Sequence, residues 1–209
     1  ELRLTLTSIS KDDFLNKKWD QWKKPVFISA PNEIHKNWVL FPEKINNKYA
    51  ILHSISPNIQ IDYFDSLDEL DGKTFIKSSY SRSYIKDGWE AYFRGVGPSP
   101  IKTSKGWLVL YHAEDKKDTS KYKLGAMILD LKDPTKILYR AKQPVLEPSL
   151  PYENNGFKSG IVYSCGAVVI DDTLFVYYGG ADTVVCVATA NLEEFIEPLT
   201  QKLRKTSFI

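Results

Sequence analysis

The feature that most narrows the fold of this 209-residue chain is a strand ending that recurs along it. Ser10-Lys11-Asp12-Asp13-Phe14, Ser66-Leu67-Asp68-Glu69-Leu70, Asp130-Leu131-Lys132-Asp133-Pro134 and Asn191-Leu192-Glu193-Glu194-Phe195 each follow a short apolar run with a small polar turn bearing acids. Taking Asp12, Asp68, Asp133 and Glu193 as markers, the spacing is 56, 65 and 60 residues. Between the markers lie short alternating or apolar runs that read as strands: 107–111, 124–129, 161–169, 174–178 and 184–188. Asn46-Asn47 supplies a tight turn into the strand 49–53. Aromatic residues make up 13 % of the chain, which favours β structure. A repeat of this length filled with short strands points to an all-β chain built from β-propeller blades. A β-sandwich would not explain the repeated endings. The expected blades cover 36–70, 89–134 and 147–195, with a tail over 196–209 that could form one short helix across 199–205. Propellers close with roughly four to eight blades, so about three whole blades make a fragment of a longer enzyme the expected status of the chain.

Charge and cysteine usage exclude some functions. The net charge is +2, which argues for neither a nucleic-acid surface nor a membrane surface. No apolar run reaches membrane-spanning length. Cys165 and Cys186 lack metal-ligand spacing and read as buried free thiols. No Cys/His cluster suggests zinc, and there is no phosphate-cradling P-loop.

The densest chemistry lies at 88–100, where an acid, a base, aromatic rings, three glycines and two prolines precede the strand Trp107-Leu108-Val109-Leu110-Tyr111-His112. Glu90 and Asp182 each occupy a Gly-rich turn beside aromatics, and paired carboxylates are the usual equipment of sugar chemistry. His112, at a strand terminus, is better placed for a ligand than His35 in a polar linker, expected to face solvent, or His53, expected to be packed. With Lys44 and Arg94 it could offer positive donors to a phosphate or carboxylate.

Several motifs, in order, resemble glycoside hydrolase family 130. They are Phe41-Pro42-Glu43-Lys44-Ile45-Asn46-Asn47-Lys48-Tyr49, Trp89-Glu90 with Gly95-Val96-Gly97-Pro98-Ser99-Pro100, Gly106 to His112, Gly125-Ala126-Met127 running to Asp133-Pro134, Tyr152-Glu153 with Gly156, and Tyr177-Tyr178-Gly179-Gly180-Ala181-Asp182. The resemblance implies a five-bladed β-propeller and an enzyme that splits β-mannosidic bonds with inorganic phosphate, giving mannose 1-phosphate with inversion. It implies no metal or organic cofactor, phosphate being a co-substrate. It implies phosphate binding by Lys44, His112 and Asp182, and sugar contacts from Glu90, Arg94, Tyr152 and Glu153. The family's general acid is an Asp in a Glu-Asp-Pro-Arg motif of an earlier blade, and this sequence contains no such motif. The chain resembles roughly the last two thirds of a member, so no catalytic residue is assigned within it and it is expected to be inactive alone. A β-mannosidase of the same family and a non-catalytic carbohydrate-binding propeller are the alternatives. The family often assembles through extra terminal helices, which leaves homo-oligomerisation open. A sugar phosphate is useful inside the cell, so the cytoplasm is the expected location.

Overall fold

All but the last residue of the long strand Gly106–Asp115 are buried, which requires partners on both faces of its sheet. The computed structural model, which describes residues 2–78 and 89–200, supplies them by stacking sheets in series. A two-stranded piece comes first, β1 (Thr5–Leu6) with β2 (Val26–Phe27). The second sheet is the meander β3 (Val39–Leu40), β4 (Tyr49–Ser54) and β5 (Gln60–Phe64). The third holds β6 (Tyr92–Val96), β7 (Ile101–Thr103), β8 (Gly106–Asp115), β9 (Asp118–Leu129) and β10 (Ile137–Arg140) in the order β10-β9-β8-β6, with β7 also on β8. It continues past residue 134 to Arg140. The fourth is the meander β11 (Val162–Ile170), β12 (Thr173–Gly180) and β13 (Val184–Asn191). All of these pairings are antiparallel.

Alternation along β8 decides what packs where. Trp107, Val109 and Tyr111 point to the second sheet and meet Phe41, Leu52 and Ile55 there. Leu108 and Leu110 point the other way and pack with Leu174 and Val176 of the fourth sheet and Ile196. A third cluster, Ile28, Ile51, Phe64, Leu70 and Ile76, joins β1–β2 to the second sheet. Sheets layered face to face through successive apolar cores are how propeller blades pack.

The repeated strand endings have a common physical role. At each, a side chain accepts a hydrogen bond from an amide two or three residues on: Asp13 N–H to Ser10 at 3.0 Å, Asp68 N–H to Ser66 at 3.2 Å, Asp133 N–H to Asp130 at 2.8 Å, and Glu194 N–H to Asn191 at 3.1 Å. These are capping contacts, which turn the chain as it leaves a sheet. The first starts the one-turn helix α1 (Lys11–Leu15), where the sequence suggested a turn only. The last starts α3 (Leu192–Thr200), which covers the core between the third and fourth sheets through Ile196. Residues 201–205 of the expected tail helix lie outside the described residues. A further helical turn, α2 (Pro151–Asn154), precedes β11.

Two expectations about side chains need correction. Cys165 is exposed, because it sits in the bulge between Ser164 and Gly166 on β11; both thiols are free. His35 is buried, its ring lying 5.1 Å from that of Trp38. Among the described residues, no helix is long and apolar enough to cross a membrane.

Candidate functional site

The β3–β4 hairpin places residues 35–38 and 54–56 at the same end, the end away from its own turn. Against that end lies β6 with Phe93, Arg94, Gly95 and Val96, and together these residues line a small solvent-open cleft with a cavity volume of about 40 Å³. Lys36, Asn37 and Arg94 face into this cleft region as its polar wall. Asn37 ties the sheets together. Its side-chain amide donates to the Arg94 carbonyl, and its amide oxygen accepts from the Tyr163 hydroxyl at 2.7 Å. One asparagine thus bridges the second, third and fourth sheets. The approach is so close that a Cβ on Gly95, whose φ is 104°, would stand 2.7 Å from the Asn37 Cβ.

Behind this wall is His112. Its ring stacks on Tyr163 with centroids 4.1 Å apart and planes 3° from parallel. Nε2 accepts the Ser164 amide at 2.9 Å, which leaves the proton on Nδ1. The side chain is fully buried, and burial pulls its pKa down to about 4. Hydrogen bonding to the Gly95 and Ser164 backbone opposes that fall, and the Lys36 charge adds to it. His112 is therefore neutral near pH 7, with Nε2 engaged by the Ser164 amide, where the sequence suggested a positive donor. Gly97 is required beside it, since a Cβ there would lie 2.6 Å from the Ser164 carbonyl oxygen and 3.0 Å from the His112 ring.

Arg94 is held by Glu114, with an Nη2 to Oε2 distance of 2.6 Å; Glu114 is 1 % exposed. The Arg94 guanidinium also lies 5.3 Å from the Tyr122 ring centre, and Lys158 Nζ lies 4.3 Å from the same ring. A charge-assisted bond of this length fixes the guanidinium on the cleft wall. Asp182 enters from the fourth sheet. It and Ala181 are the central residues of the β12–β13 turn, with φ of 50° and 48°, and Thr183 N–H closes the turn on the Gly180 carbonyl at 3.0 Å. This is the primed hairpin turn, which ordinarily favours Asn and Gly. An alanine held there is a strained position beside an exposed carboxylate. Burial is the main cause raising the Tyr163 hydroxyl pKa, with the Cys165 and Asp182 charges adding smaller effects and the Asn37 hydrogen bond opposing them.

Of the residues singled out from the sequence, the structure gathers Arg94 and His112 around Asn37 and Tyr163, while Asp182 sits on the β12–β13 turn. Lys44 does not join them. It lies exposed in the β3–β4 turn, with Nζ 4.3 Å from the Tyr49 ring centre. The neighbouring Glu43 pairs with Lys102, and Phe41 packs on Trp107 at 5.1 Å, so that turn is anchored at the start of β8. Roughly 16 Å of extended strand separates Trp107 from His112. Glu90 is also elsewhere, accepting from the Tyr111 hydroxyl at 2.7 Å with Arg140 Nε 3.5 Å away. Burial raises its pKa, and those two partners only partly oppose the shift. Tyr111 points into the core opposite the His112 face, which takes Glu90 with it.

Tyr152 is exposed on α2, its backbone against Gly180 beside the Asp182 turn. Glu153 is buried beneath, accepting from the amides of Ser149 and Leu150 at 2.8 Å each and from the Tyr178 hydroxyl at 2.7 Å. Burial would raise its pKa, but these bonds outweigh it and hold the carboxyl below its usual range. With its oxygens so engaged, Glu153 braces the fourth sheet from inside, where the resemblance implies a sugar contact. Lys36, Asn37, Tyr163 and Glu114 were not anticipated. The signal for the first two is the Lys36-Asn37 pair shortly before β3, on the other side of that strand from Lys44. Among the described residues, no three His, Cys, Asp or Glu side chains are grouped to hold a metal ion.

Comparison with known proteins places this cleft in context. The family model described as beta-1,4-mannooligosaccharide phosphorylase matches residues 9–201. A 1,2-beta-oligomannan phosphorylase of Thermoanaerobacter sp. is 45 % identical over 84 % of the chain and 56 % of its own length. A beta-1,2-mannobiose phosphorylase of Listeria innocua is 40 % identical over 82 % of the chain and 48 % of its own length. The chain thus spans about half the length of the curated relatives it matches. Among solved structures, the Listeria innocua beta-1,2-mannobiose phosphorylase in complex with beta-1,2-mannobiose aligns with a TM-score of 0.69 at 36 % identity, covering 85 % of this chain and 50 % of that one. A putative glycosidase from Bacteroides thetaiotaomicron aligns at 0.63 and 26 % identity, covering 81 % of this chain and 56 % of that one. These neighbours are five-bladed β-propellers, and the stacked sheets are blades of that fold. The sequence match over nearly the whole chain and the shared fold make it a member of glycoside hydrolase family 130.

Proposed function

We propose that the protein carrying this chain is a β-mannoside phosphorylase, and that the chain supplies its wall for phosphate and sugar. The observation carrying this reading is the cleft in which Lys36 and Arg94 stand together on a wall fixed by Asn37, Glu114 and the His112–Tyr163 stack. Two cations on a rigid wall suit an oxyanion nucleophile. An inverting displacement needs phosphate held behind the anomeric carbon, with its charge balanced but not neutralised by proton transfer. The proposed phosphate ligands are Lys36 and Arg94, with the Asn37 amide positioning the loop between them. Asp182, exposed on its strained turn, is proposed to accept sugar hydroxyls, with Tyr152 bordering that position. No residue of this chain is proposed as the general acid. The names of the relatives support β-mannosides as substrate class, and three relatives at 38 to 45 % identity bear β-1,2 names. We take β-1,2-linked mannosides as the first substrates to try, inorganic phosphate as co-substrate, and the cytoplasm as compartment.

The test is to incubate the intact protein with β-1,2- and β-1,4-mannobiose, with and without phosphate, and assay mannose 1-phosphate and mannose. Mannose 1-phosphate formed only with phosphate is the expected result. Free mannose released in phosphate-free buffer would instead support the β-mannosidase reading. Binding of a mannoside without turnover would leave a carbohydrate-binding propeller.

A further inference from the structure

The connection 155–159, between α2 and β11, carries the most exposed large apolar side chain among the described residues, Phe157, at 91 %. Single exposed rings are common on protein surfaces. This one is distinguished by the fixing of its backbone. Phe157 N–H donates to Thr183 Oγ1 at 2.8 Å, Lys158 N–H to the Ala181 carbonyl at 3.0 Å, and Ser159 Oγ to the Asn154 carbonyl at 2.6 Å. Gly156 is pressed so closely on the same turn that a Cβ would fall 2.4 Å from Thr183 Oγ1 and 2.6 Å from the Ala181 oxygen. The loop is thus seated on the β12–β13 turn, the turn that presents Asp182 in its left-handed conformation. Asp182 has no hydrogen-bond or ion-pair partner among the described residues.

An aromatic face held out to water beside a solvent-exposed carboxylate matches the two sides of a pyranose, whose C–H face stacks on a ring while its hydroxyls donate to an acceptor. We propose that Phe157 is a stacking platform for a sugar unit on the acceptor side of the cleaved bond, with Asp182 as its polar neighbour. The acceptor side is assigned because Phe157 does not line the cleft where Lys36 and Arg94 are proposed to bring phosphate and the transferred mannosyl unit together. This inference rests on the phosphorylase reading above.

The experiment runs the reaction in the synthetic direction with the intact protein, mannose 1-phosphate as donor and β-1,2-mannobiose as acceptor. Phe157→Ala should raise the acceptor KM about tenfold, the effect of losing one stacking contact. The donor KM and kcat should stay within twofold, and Phe157→Tyr should restore the acceptor KM. An unchanged acceptor KM, or equal rises for donor and acceptor, would overturn the platform while leaving the phosphorylase reading intact. A folded wild-type protein that neither binds nor transfers to any mannoside would overturn both.

Discussion

Replacing Glu114 by alanine removes a carboxylate that is 1 % exposed and lies 2.6 Å from the Arg94 guanidinium. Breaking a buried ion pair from one side typically costs about 3–5 kcal/mol, because the surviving charge stays buried without its partner. Arg94 retains 15 % side-chain exposure and the face of Tyr122, which places the expected loss near the lower end, about 3 kcal/mol. Set against a total stability of about 5–15 kcal/mol, that is a large change. Urea titration followed by tryptophan fluorescence should show the midpoint falling by about 1 M or more, at slopes of about 2–3 kcal/mol per M. The double variant Arg94→Met with Glu114→Leu should recover most of the loss, since apolar replacement of both partners removes the uncompensated charge. A loss below about 1 kcal/mol for Glu114→Ala would mean that the pair is screened like a surface ion pair. A double variant as unstable as the two single variants summed would mean the residues are not coupled. Either result would refute the argument that Glu114 fixes Arg94.

His112 sets a pH dependence. Its folded pKa, near 4, lies below the ordinary value of about 6.5, so the unfolded chain binds more protons between these values. Stability from the neutral buried ring is full above about pH 6.5 and is lost as pH falls toward 4, with about 2 kcal/mol gone between pH 7.5 and pH 5. Urea midpoints at those two pH values should show this loss in the wild type and a reduced loss in His112→Gln. Gly97→Ala drives a methyl group to 2.6 Å from the Ser164 oxygen, and thermal melts should show a destabilisation of about 1–3 kcal/mol from overpacking. A melt unchanged from wild type would mean that β6 and β11 are less tightly apposed than described.

The fold was legible because its signals are local and repeated. Ser10, Ser66, Asp130 and Asn191 act on amides only two or three residues away, so they leave a pattern that survives in the sequence. Asn46-Asn47 was readable for the same reason, both residues adopting the positive φ of a tight turn. The site was legible only in part, because its contacts are long-range. Tyr163 meets Asn37 across 126 positions and the Ser164 amide meets His112 across 52, and no local pattern announces either. Arg94 and His112 stood out through the Gly95–Gly97 run, whose missing side chains the close approach of Asn37 and Ser164 demands. Lys44 stands out because its motif is distinctive, yet that motif forms the β3–β4 turn, at the end of the sheet away from residues 35–38 and 54–56. Glu153 looked like a sugar ligand, since a buried brace and an exposed contact can share one sequence.

We propose that phosphate is held by Lys36, the cation before β3, and not by Lys44, the one after it. This is tested most directly by titrating phosphate in β-1,2-mannobiose cleavage by Lys36→Ala and Lys44→Ala in parallel. Lys36→Ala should raise the phosphate KM about tenfold or more, as expected for loss of one charge-assisted contact, with Lys44→Ala within twofold of wild type. A raised phosphate KM in Lys44→Ala with Lys36→Ala unchanged would contradict it.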